Sequence, residues 1–300
     1  MSLLVVGSVA FDSVETPFGK ADRVLGGSAT FFMYAASYFT KQRLVGIVGA
    51  DFPREALTEL QERGVDISGL TVDPDGKTFH WTGRYEGDMN AAQTLGVSLN
   101  VLGTYKASVP EAFRDSEYVF LANDHPQTQL DVLGSVKGKP FCVADTRDFW
   151  IVEQPALLAR LLQKVDGLVL NEHEARLLTG EKNLVKAGAD ILKKGPDFVV
   201  LKKGEHGALL FCSEGVYAVP ACPLEVVRDP TGAGDAFAGG LMGYLASTGK
   251  RSLEAIRRGM TYGTVTAAVA VEDFSVEPFR QVTRQALNDR HDAFLKAIRF

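Results

Sequence analysis

Cysteine is scarce in this chain of 300 residues, which contains only Cys142, Cys212 and Cys222. The three form an odd, scattered set without C-x-x-C spacing, so they indicate neither a disulfide framework nor a zinc site. The five histidines are dispersed as well and lack the spacing of zinc ligands. These absences are typical of a protein from a reducing compartment.

Long apolar runs and an excess of positive charge are also missing. No apolar run approaches the length of a membrane span. The N-terminal sequence MSLLVVGSVAFDS has no basic region before its apolar residues, so we interpret it as a first strand rather than a signal peptide. The net charge of −5 gives no indication of a surface for nucleic acid or for an anionic membrane. We therefore expect a cytoplasmic protein that binds neither.

Three common enzyme motifs are absent from the sequence. The segment GYLASTGKRS is similar to a P-loop, but Gly243 and Gly249 are one residue too far apart and Arg251 follows the lysine. No G-x-G-x-x-G follows the first strand, which argues against a dinucleotide-binding Rossmann domain. No G-x-S-x-G is present, which argues against a hydrolase with a nucleophile elbow.

The sequence does contain an alternation of short apolar runs and helical segments. Apolar runs that end in turns and are separated by helices are typical of parallel strands with helices on both faces. We therefore predict an α/β fold with a three-layer, doubly wound and mostly parallel sheet, in a single domain of residues 1–300. An antiparallel addition at residues 211–219 and a helical region from residue 232 complete the pattern. The apolar runs lie at residues 3–9, 44–48, 118–122, 141–144, 167–170 and 198–201.

Residues 71–105 have a different character from the rest of the chain. A turn formed by Pro74, Asp75 and Gly76 precedes the alternating or aromatic segments TFHWTGRYEG and QTLGVSL, which are typical of strands. This β-rich insertion is too small to be stable by itself. We predict that it is a lid over the site, and that the same surface pairs two subunits in a homodimer.

The strongest motif is DPTGAGD, residues 229–235, which opens a long helical segment. Small residues let backbone N–H groups approach an anion closely, and the positive end of the helix dipole lies at the same place. A carboxylate beside a bound phosphate is unfavourable unless it has a function, and Asp235 is suited to accept a proton from an attacking hydroxyl. A simple helix start, with Asp235 as the partner of the dipole, is the alternative interpretation.

The longer segment DPTGAGDAFAGG resembles the C-terminal signature of the ribokinase (PfkB) family of sugar and nucleoside kinases. Five further segments resemble motifs of that family in the same order, so the resemblance covers nearly the whole chain. It implies a kinase that moves the terminal phosphoryl group of ATP onto a hydroxyl. The five segments are Gly7 with Asp12, Gly26 to Ala29, GIVGADFPREALTELQERGVDISGL at 46–70, Asn171 to Glu174 with LLTG at 177–180, and residues 202–207.

The resemblance implies two groups of residues around the transferred phosphoryl group. In the first group, Asp235 is the catalytic base and the backbone amides of Gly232, Ala233 and Gly234 form an anion hole. The second group faces the acceptor. The alternative interpretation is that Asp12 caps a turn and that Gly26 and Gly27 form a simple turn before a helix. The residues of this second group are Asp12, Gly26, Gly27 and Ser28.

For the nucleotide, the resemblance implies contacts from the loop after the run FVVL and from the helical C-terminal part. These residues are Lys202, Gly204, Glu205, Gly207 and Thr264. It also implies that Asn171 and Glu174 organise Mg²⁺, through phosphate and water, because a bare carboxylate would be repelled by a triphosphate. Capping of the following helix by the same two residues is the alternative. A monovalent cation is compatible with the resemblance.

Phe31 is the main departure from the family pattern, because many members have an asparagine there that hydrogen-bonds the sugar. The acceptor is therefore either a sugar or a nucleoside of the adenosine type. Phe31 slightly favours the nucleoside. Asp145 and Arg147 follow the run FCVA, where Arg147 is either a phosphate or substrate contact or half of a surface ion pair. A regulator that binds sugar or nucleotide without catalysis is the rival from another class, and the intact Gly-Ala-Gly-Asp argues against it.

Overall fold

Four apolar residues, Leu3–Val6, form strand β1 inside the larger of two sheets. Leu3 and Val5 pack into one apolar cluster, whereas Leu4 and Val6 pack into another on the opposite face. Neighbouring residues of a strand face opposite sides, so a strand that is apolar throughout is buried on both faces. The computed structural model, which describes residues 1–298, thus places the apolar runs between two layers of helices.

In the described part of the chain the larger sheet has nine strands and the smaller sheet has four. Numbered in chain order, the strands of the larger sheet are β1, β4 (Gln42–Gly49), β5 (Val65–Asp73), β8 (Tyr118–Leu121), β9 (Phe141–Asp145), β10 (Gly167–Asn171), β11 (Phe198–Lys202), β12 (Ala208–Cys212) and β13 (Gly215–Val219). Those of the smaller sheet are β2 (Ala10–Thr16), β3 (Gly19–Gly26), β6 (His80–Tyr85) and β7 (Ala92–Ser98).

The larger sheet has the order β13-β12-β11-β10-β9-β8-β1-β4-β5. All neighbouring pairs from β11 to β5 are parallel. Strands β12 and β13 run antiparallel at one edge, as the sequence predicts for residues 211–219. The predicted doubly wound, mostly parallel sheet is therefore confirmed.

Eleven α-helices of the described residues cover the two faces of this sheet. One face carries α1 (Ser28–Ala36), α2 (Arg54–Glu62), α8 (Ala233–Thr248), α9 (Leu253–Ala270), α10 (Glu277–Gln281) and α11 (Arg284–Ala297). The other face carries α3 (Pro126–Ser135), α4 (Asp148–Glu153), α5 (Pro155–Leu162), α6 (Glu172–Thr179) and α7 (Leu184–Leu192). In residues 1–298 we find no helix with the length and apolar character that crossing a membrane requires.

The smaller sheet uses more of the chain than the predicted segment 71–105. Its order is β3-β2-β6-β7, so two of its strands come from residues 10–26. Residues 65–73 instead pair with β4 in the larger sheet. The hairpin of β6 and β7 is too small to be stable alone, and the parallel pairing of β6 with β2 joins it to the rest of the molecule.

Candidate active site

Polar residues end three neighbouring parallel strands, at the edge where binding sites of such sheets form. Asp145 ends β9, Asn171 ends β10 and Lys202 ends β11. In the register of the sheet, Asn171 lies directly opposite Lys202. The same edge receives the start of α8, because Gly234 lies close to the tip of Lys202.

The loop before α8 is shaped by Asp229 and Gly232. The buried carboxylate of Asp229 accepts a hydrogen bond of 2.9 Å from the backbone N–H of Thr231. Gly232 has a φ of 75°, a left-handed conformation that favours glycine. It also lies directly on the ring of Phe31, since a Cβ built on Gly232 would come within 2.2 Å of that ring. Both its conformation and its surroundings therefore require glycine here.

Phe31 is buried beneath this loop, with 1% of its surface exposed. It belongs to α1 and packs against Gly232 rather than facing open space. Phe31, which stands where many family members have asparagine, thus supports the loop before α8 and offers no polar group there. The weak argument from Phe31 toward an aromatic-bearing acceptor loses its basis.

The N–H groups at the start of α8 differ in whether they have a partner in the backbone. The N–H of Ala233 donates to the carbonyl oxygen of Pro230 over 3.2 Å. In residues 1–298 we find no backbone carbonyl that accepts from Gly232 or Gly234. The glycine at the N-cap also brings no side chain that could cap the helix. The helix start therefore keeps donors for an anion, as helix N-termini generally do.

Asp235 lies in this first turn and is partly buried. Burial, followed by the charge of Asp145, raises its pKa to about 8, although Lys202 and Arg147 act in the opposite direction. Asp12 raises it further. The electrostatic environment of Asp235 thus includes residues from both the strand ends and the smaller sheet.

Asp12 lies in β2, and its carboxyl group lies directly on Gly26. A Cβ on Gly26 would come within 2.1 Å of that carboxyl group, so only glycine fits. Burial, with a smaller contribution from the charge of Asp229, raises the pKa of Asp12 to about 7. The backbone N–H of Gly27 and the charge of Arg147 act in the opposite direction. The predicted residues Asp12, Gly26 and Gly27 are therefore close together.

Ser28 uses its hydroxyl inside the protein. Its Oγ lies 3.1 Å from Oγ of Ser8, and its backbone N–H donates to the same Ser8 oxygen over 3.0 Å. The Ser28 hydroxyl also donates to the carbonyl oxygen of Asn123 over 3.3 Å. This residue joins the start of α1 to the loops after β1 and β8.

Asn171 and Glu174 form a capping box at the start of α6, which was the alternative interpretation of these residues. The Glu174 N–H donates to Oδ1 of Asn171 over 2.9 Å, and the Asn171 N–H donates to Oε2 of Glu174 over 2.8 Å. Burial and then Asp145 raise the pKa of Glu174 to about 7, against the effect of Lys202. Capping uses one carboxylate oxygen and leaves the other free of the box.

Lys202 and Asp145 form an ion pair of 3.1 Å, and both side chains are largely buried. Burial lowers the pKa of Lys202, but the carboxylates of Asp145, Glu174 and Asp235 raise it more, so it remains charged. Reasoning from the sequence named both residues but missed their pairing. The pairing depends on the strand order, which places Asp145 and Lys202 at the ends of two strands that flank a third.

The remaining predicted nucleotide residues lie in two elements. Gly204, Glu205 and Gly207 form a tight turn after β11, closed by the Lys203 N–H, which donates to the Gly207 carbonyl over 2.7 Å. Glu205 is exposed at its tip. Thr264 lies apart from this turn, buried in α9, which packs against α8.

The smaller sheet lies over this edge of the larger sheet. Trp81 of β6 is the register partner of Asp12, and the guanidinium carbon of Arg147 lies 6.0 Å from the centre of the Trp81 ring. The Tyr85 hydroxyl lies 3.5 Å from that of Thr231, and the side-chain oxygen of Asn90 lies beside Gly204. The smaller sheet and its turn therefore contact both the loop before α8 and the turn at residues 204–207. The contact made by Asn90 was not predicted from the sequence.

Comparison with known proteins decides the family. The sequence profile of the pfkB family carbohydrate kinases matches residues 4–276. The chain belongs to this family. A PfkB kinase is a phosphotransferase that acts on a hydroxyl group, so the predicted class of enzyme is confirmed.

Curated relatives of this PfkB kinase include enzymes for different acceptors. The cytidine kinase of Thermococcus kodakarensis is 33% identical over 270 residues, which cover 87% of this chain and 94% of that protein. The ribokinase of Lactococcus lactis is 27% identical over 252 residues, which cover 78% of this chain and 80% of that protein.

Among solved structures, the aminoimidazole riboside kinase of Salmonella enterica has the same fold. It superposes with a TM-score of 0.79 at 22% identity and covers 97% of this chain and 100% of that one. That structure holds aminoimidazole riboside and an ATP analogue. The likeness confirms the ribokinase-like architecture of the PfkB kinase described above.

Proposed function

We propose that this PfkB kinase transfers the terminal phosphoryl group of ATP to a hydroxyl of a sugar or of a sugar-containing acceptor, with Asp235 as the general base. The observation that carries the proposal is the position of Asp235. It lies in the first turn of α8, directly after Gly234, and within electrostatic reach of Asp12. A carboxylate between an anion-binding helix start and a second buried carboxylate is suited to proton transfer.

In this reaction the acceptor oxygen forms a bond to the terminal phosphorus, and the bond from that phosphorus to the bridging oxygen of ADP breaks. Asp235 takes the proton of the acceptor hydroxyl during the attack. The N–H groups of Gly232, Ala233 and Gly234 and the dipole of α8 stabilise the negative oxygens. Because the Ala233 N–H already has an internal partner, we assign the larger share to Gly232 and Gly234.

ATP fits the remaining features of this edge. Gly234 and Lys202 lie so close together that a Cβ on Gly234 would fill the space between them. We call this space the cradle, and the positive ammonium group of Lys202 lies in it. We assign the terminal phosphate of ATP to this cradle, and the adenosine part to the turn of Gly204, Glu205 and Gly207 and to Thr264. The ATP analogue bound by the Salmonella relative supports the use of ATP.

Mg²⁺ also fits the residues present, as an ion held largely through water and phosphate. In residues 1–298 we find no cluster of three or more acidic, histidine or cysteine side chains that could hold a metal directly. Mg²⁺ usually keeps several waters and binds with substrate phosphates. Asn171 and the free oxygen of Glu174 would orient such an ion. When bound, the ion would neutralise phosphate charge. A monovalent cation remains compatible with the loop around Asp229.

For the acceptor, we propose that Asp12, Gly26 and Gly27 hold the hydroxyl-bearing ring. A nucleoside is the acceptor we favour, because the cytidine kinase relative matches over almost its whole length. Tyr85 of the smaller sheet, half-buried beside Thr231, supplies aromatic surface that suits a base. Ser28, whose hydroxyl has internal partners, would act through its place at the start of α1.

The experiment is a panel of acceptors in the presence of ATP and Mg²⁺, with production of ADP as the readout. We expect turnover with cytidine or another nucleoside above that with free ribose, and no turnover in excess EDTA. A higher rate with a free sugar would reject the nucleoside assignment. Nucleotide binding without turnover on any acceptor would favour a silent regulator on the same fold.

We further propose that the β6–β7 hairpin is part of a lid, and that its outer strand pairs two subunits. Strand β7 is an end strand of the smaller sheet, with Leu95 and Val97 about half exposed. Exposed apolar side chains on an end strand are typical of a surface that pairs with another chain. The mass in solution tests the pairing, since Val97→Lys should leave a monomer.

A further inference from the structure

The ion pair between Lys202 and Asp145 bridges three strands of the larger sheet. Strand β10 lies between β9 and β11, so the Lys202 side chain crosses the end of β10 to reach Asp145. Two strand spacings separate the backbones, about 9.6 Å, which the four-carbon stem of a lysine can help to span. The exposed fractions are only 17% for the Lys202 side chain and 6% for that of Asp145. This is an ordered internal pair rather than a surface contact.

The ammonium group lies against the start of α8. A Cβ built on Gly234 would come within 2.8 Å of Nζ of Lys202, so the absence of a side chain at Gly234 makes room for it. Any larger residue at position 234 would have to displace the ammonium. The small residues of the loop before α8 thus admit a lysine as well as an anion.

This position is electrostatically unusual for a cation. The N-terminal end of a helix is positive, so an ammonium beside it is repelled unless negative charge is close. Asp145, 3.1 Å away, provides most of that charge, and the carboxylates of Glu174 and Asp235 add to it. A phosphoryl group bound at the helix start would provide more, and it would lie between the two positive groups. The lysine is therefore placed where an anion is needed.

We propose that Lys202 binds the phosphoryl group that is transferred, and that Asp145 is a positioning residue that holds the ammonium at the start of α8 before the nucleotide arrives. The inference rests on the function proposed above and assigns a further catalytic residue to the same site. It concerns Lys202 and not its neighbour Lys203, whose N–H closes the nucleotide turn.

Lys202 takes no part in the proton balance of the reaction. The acceptor proton goes to Asp235, the new bond joins the acceptor oxygen to phosphorus, and the electron pair of the broken bond stays on ADP. The ammonium stabilises charge on the oxygens of the moving group. Such a group contributes mainly to kcat, since its contact is strongest during transfer.

The test is a double-mutant cycle of Lys202→Met and Asp145→Asn, with Lys194→Met as the control. Lys194 is an exposed residue just after α7, and its replacement removes the same charge away from the site. Lys202→Met should lower kcat by about 10²–10³-fold, as removal of one oxyanion-hole donor does. Its affinity for ADP, measured by calorimetry, should change little, because ADP lacks the transferred group. Lys194→Met should match the wild type in both.

The double variant decides between a catalytic and a structural role. Lys202→Met alone leaves Asp145 buried without a partner and can destabilise the protein, whereas the double variant removes both charges. We expect the double variant to fold and to have the low kcat of Lys202→Met, with Asp145→Asn adding little once Lys202 is gone. Recovery of wild-type kcat in the double variant would show that Lys202 only neutralises Asp145. If the losses in kcat of the two single variants instead multiply in the double variant, Asp145 does not act by positioning Lys202.

This outcome is separable from the fate of the proposed function. If Asp235→Asn abolishes turnover while the double variant keeps wild-type kcat, only the assignment of Lys202 fails. If Asp235→Asn remains active, the proposed function itself fails, whatever the cycle shows.

Discussion

Three carboxyl groups of the candidate site have a pKa well above its ordinary value, with burial as the largest cause for each. The pKa is about 7 for Asp12, about 7 for Glu174 and about 8 for Asp235. A buried carboxylate is unfavourable until a donor or a cation reaches it. Burial therefore makes the charged forms of these three groups costly, which is a common reason why active sites lower stability.

The pKa of Asp235 leads to a prediction about stability. Its folded-state pKa lies above that of an unfolded aspartate, so the folded protein binds the proton more tightly. The resulting stabilisation is complete below about pH 4, the unfolded pKa, and is lost as the pH rises through about 8. Asparagine mimics the protonated form. Asp235→Asn should therefore be more stable than the wild type above about pH 4, and its advantage should be clearly larger at pH 8 than at pH 5.

The measurement is thermal unfolding of the ligand-free protein at both pH values, with Glu62→Gln as the control. Glu62 is an exposed carboxylate at the end of α2 and is not among the residues assigned to the site. Its replacement should give the same small difference at pH 5 and pH 8. An equal effect of Asp235→Asn at the two pH values would contradict the raised pKa.

At the scale of elements, the turn between β6 and β7 is the part of the smaller sheet that reaches the turn at residues 204–207. Asn90 lies beside Gly204, and Tyr85 at the end of β6 lies beside Thr231 of the loop before α8. A hairpin that contacts both loops is suited to exclude water, which otherwise competes as phosphoryl acceptor.

We predict that replacing residues 86–91 with a two-residue Asn-Gly turn leaves the domain folded but weakens this closure. Strands β6 and β7 remain, and Asn-Gly is a favoured hairpin turn. The ratio of ATP hydrolysis to acceptor phosphorylation should rise, and the KM for the acceptor should increase. Both are measured by ADP production with and without acceptor. An unchanged ratio together with a wild-type KM would show that this turn is not part of a lid.

At the scale of the whole molecule, the sequence predicts the central strands of the larger sheet well because they are apolar on both faces. The run FVVL, which forms the first four residues of β11, is entirely buried. Such a run can be predicted as a strand without knowledge of the strands beside it. The smaller sheet is harder to predict, since β2 and β3 have mixed burial, and β2 joins the β2–β3 hairpin to the distant strand β6. The predicted segment 71–105 therefore contained only half of that sheet's strands.

The site was predictable where a motif lies within one segment, and incomplete where the contact is between segments. DPTGAGD could be placed at a helix start from its own residues, and α8 begins there at Ala233. The ion pair of Lys202 with Asp145 depends on the strand order β9-β10-β11, which no local pattern contains. Likewise, the packing of Phe31 under Gly232 depends on how α1 meets α8.

The central claim is that Asp235 accepts the proton of the acceptor hydroxyl, and the most direct measurement is the kcat of Asp235→Asn with a saturating acceptor and ATP. Asparagine preserves size and cannot take the proton, so kcat should fall by about 10²–10⁴-fold, the usual contribution of a general base. Calorimetry should still show ATP binding, which separates lost chemistry from lost binding. A variant that binds ATP and keeps more than about a tenth of the wild-type kcat would contradict the account.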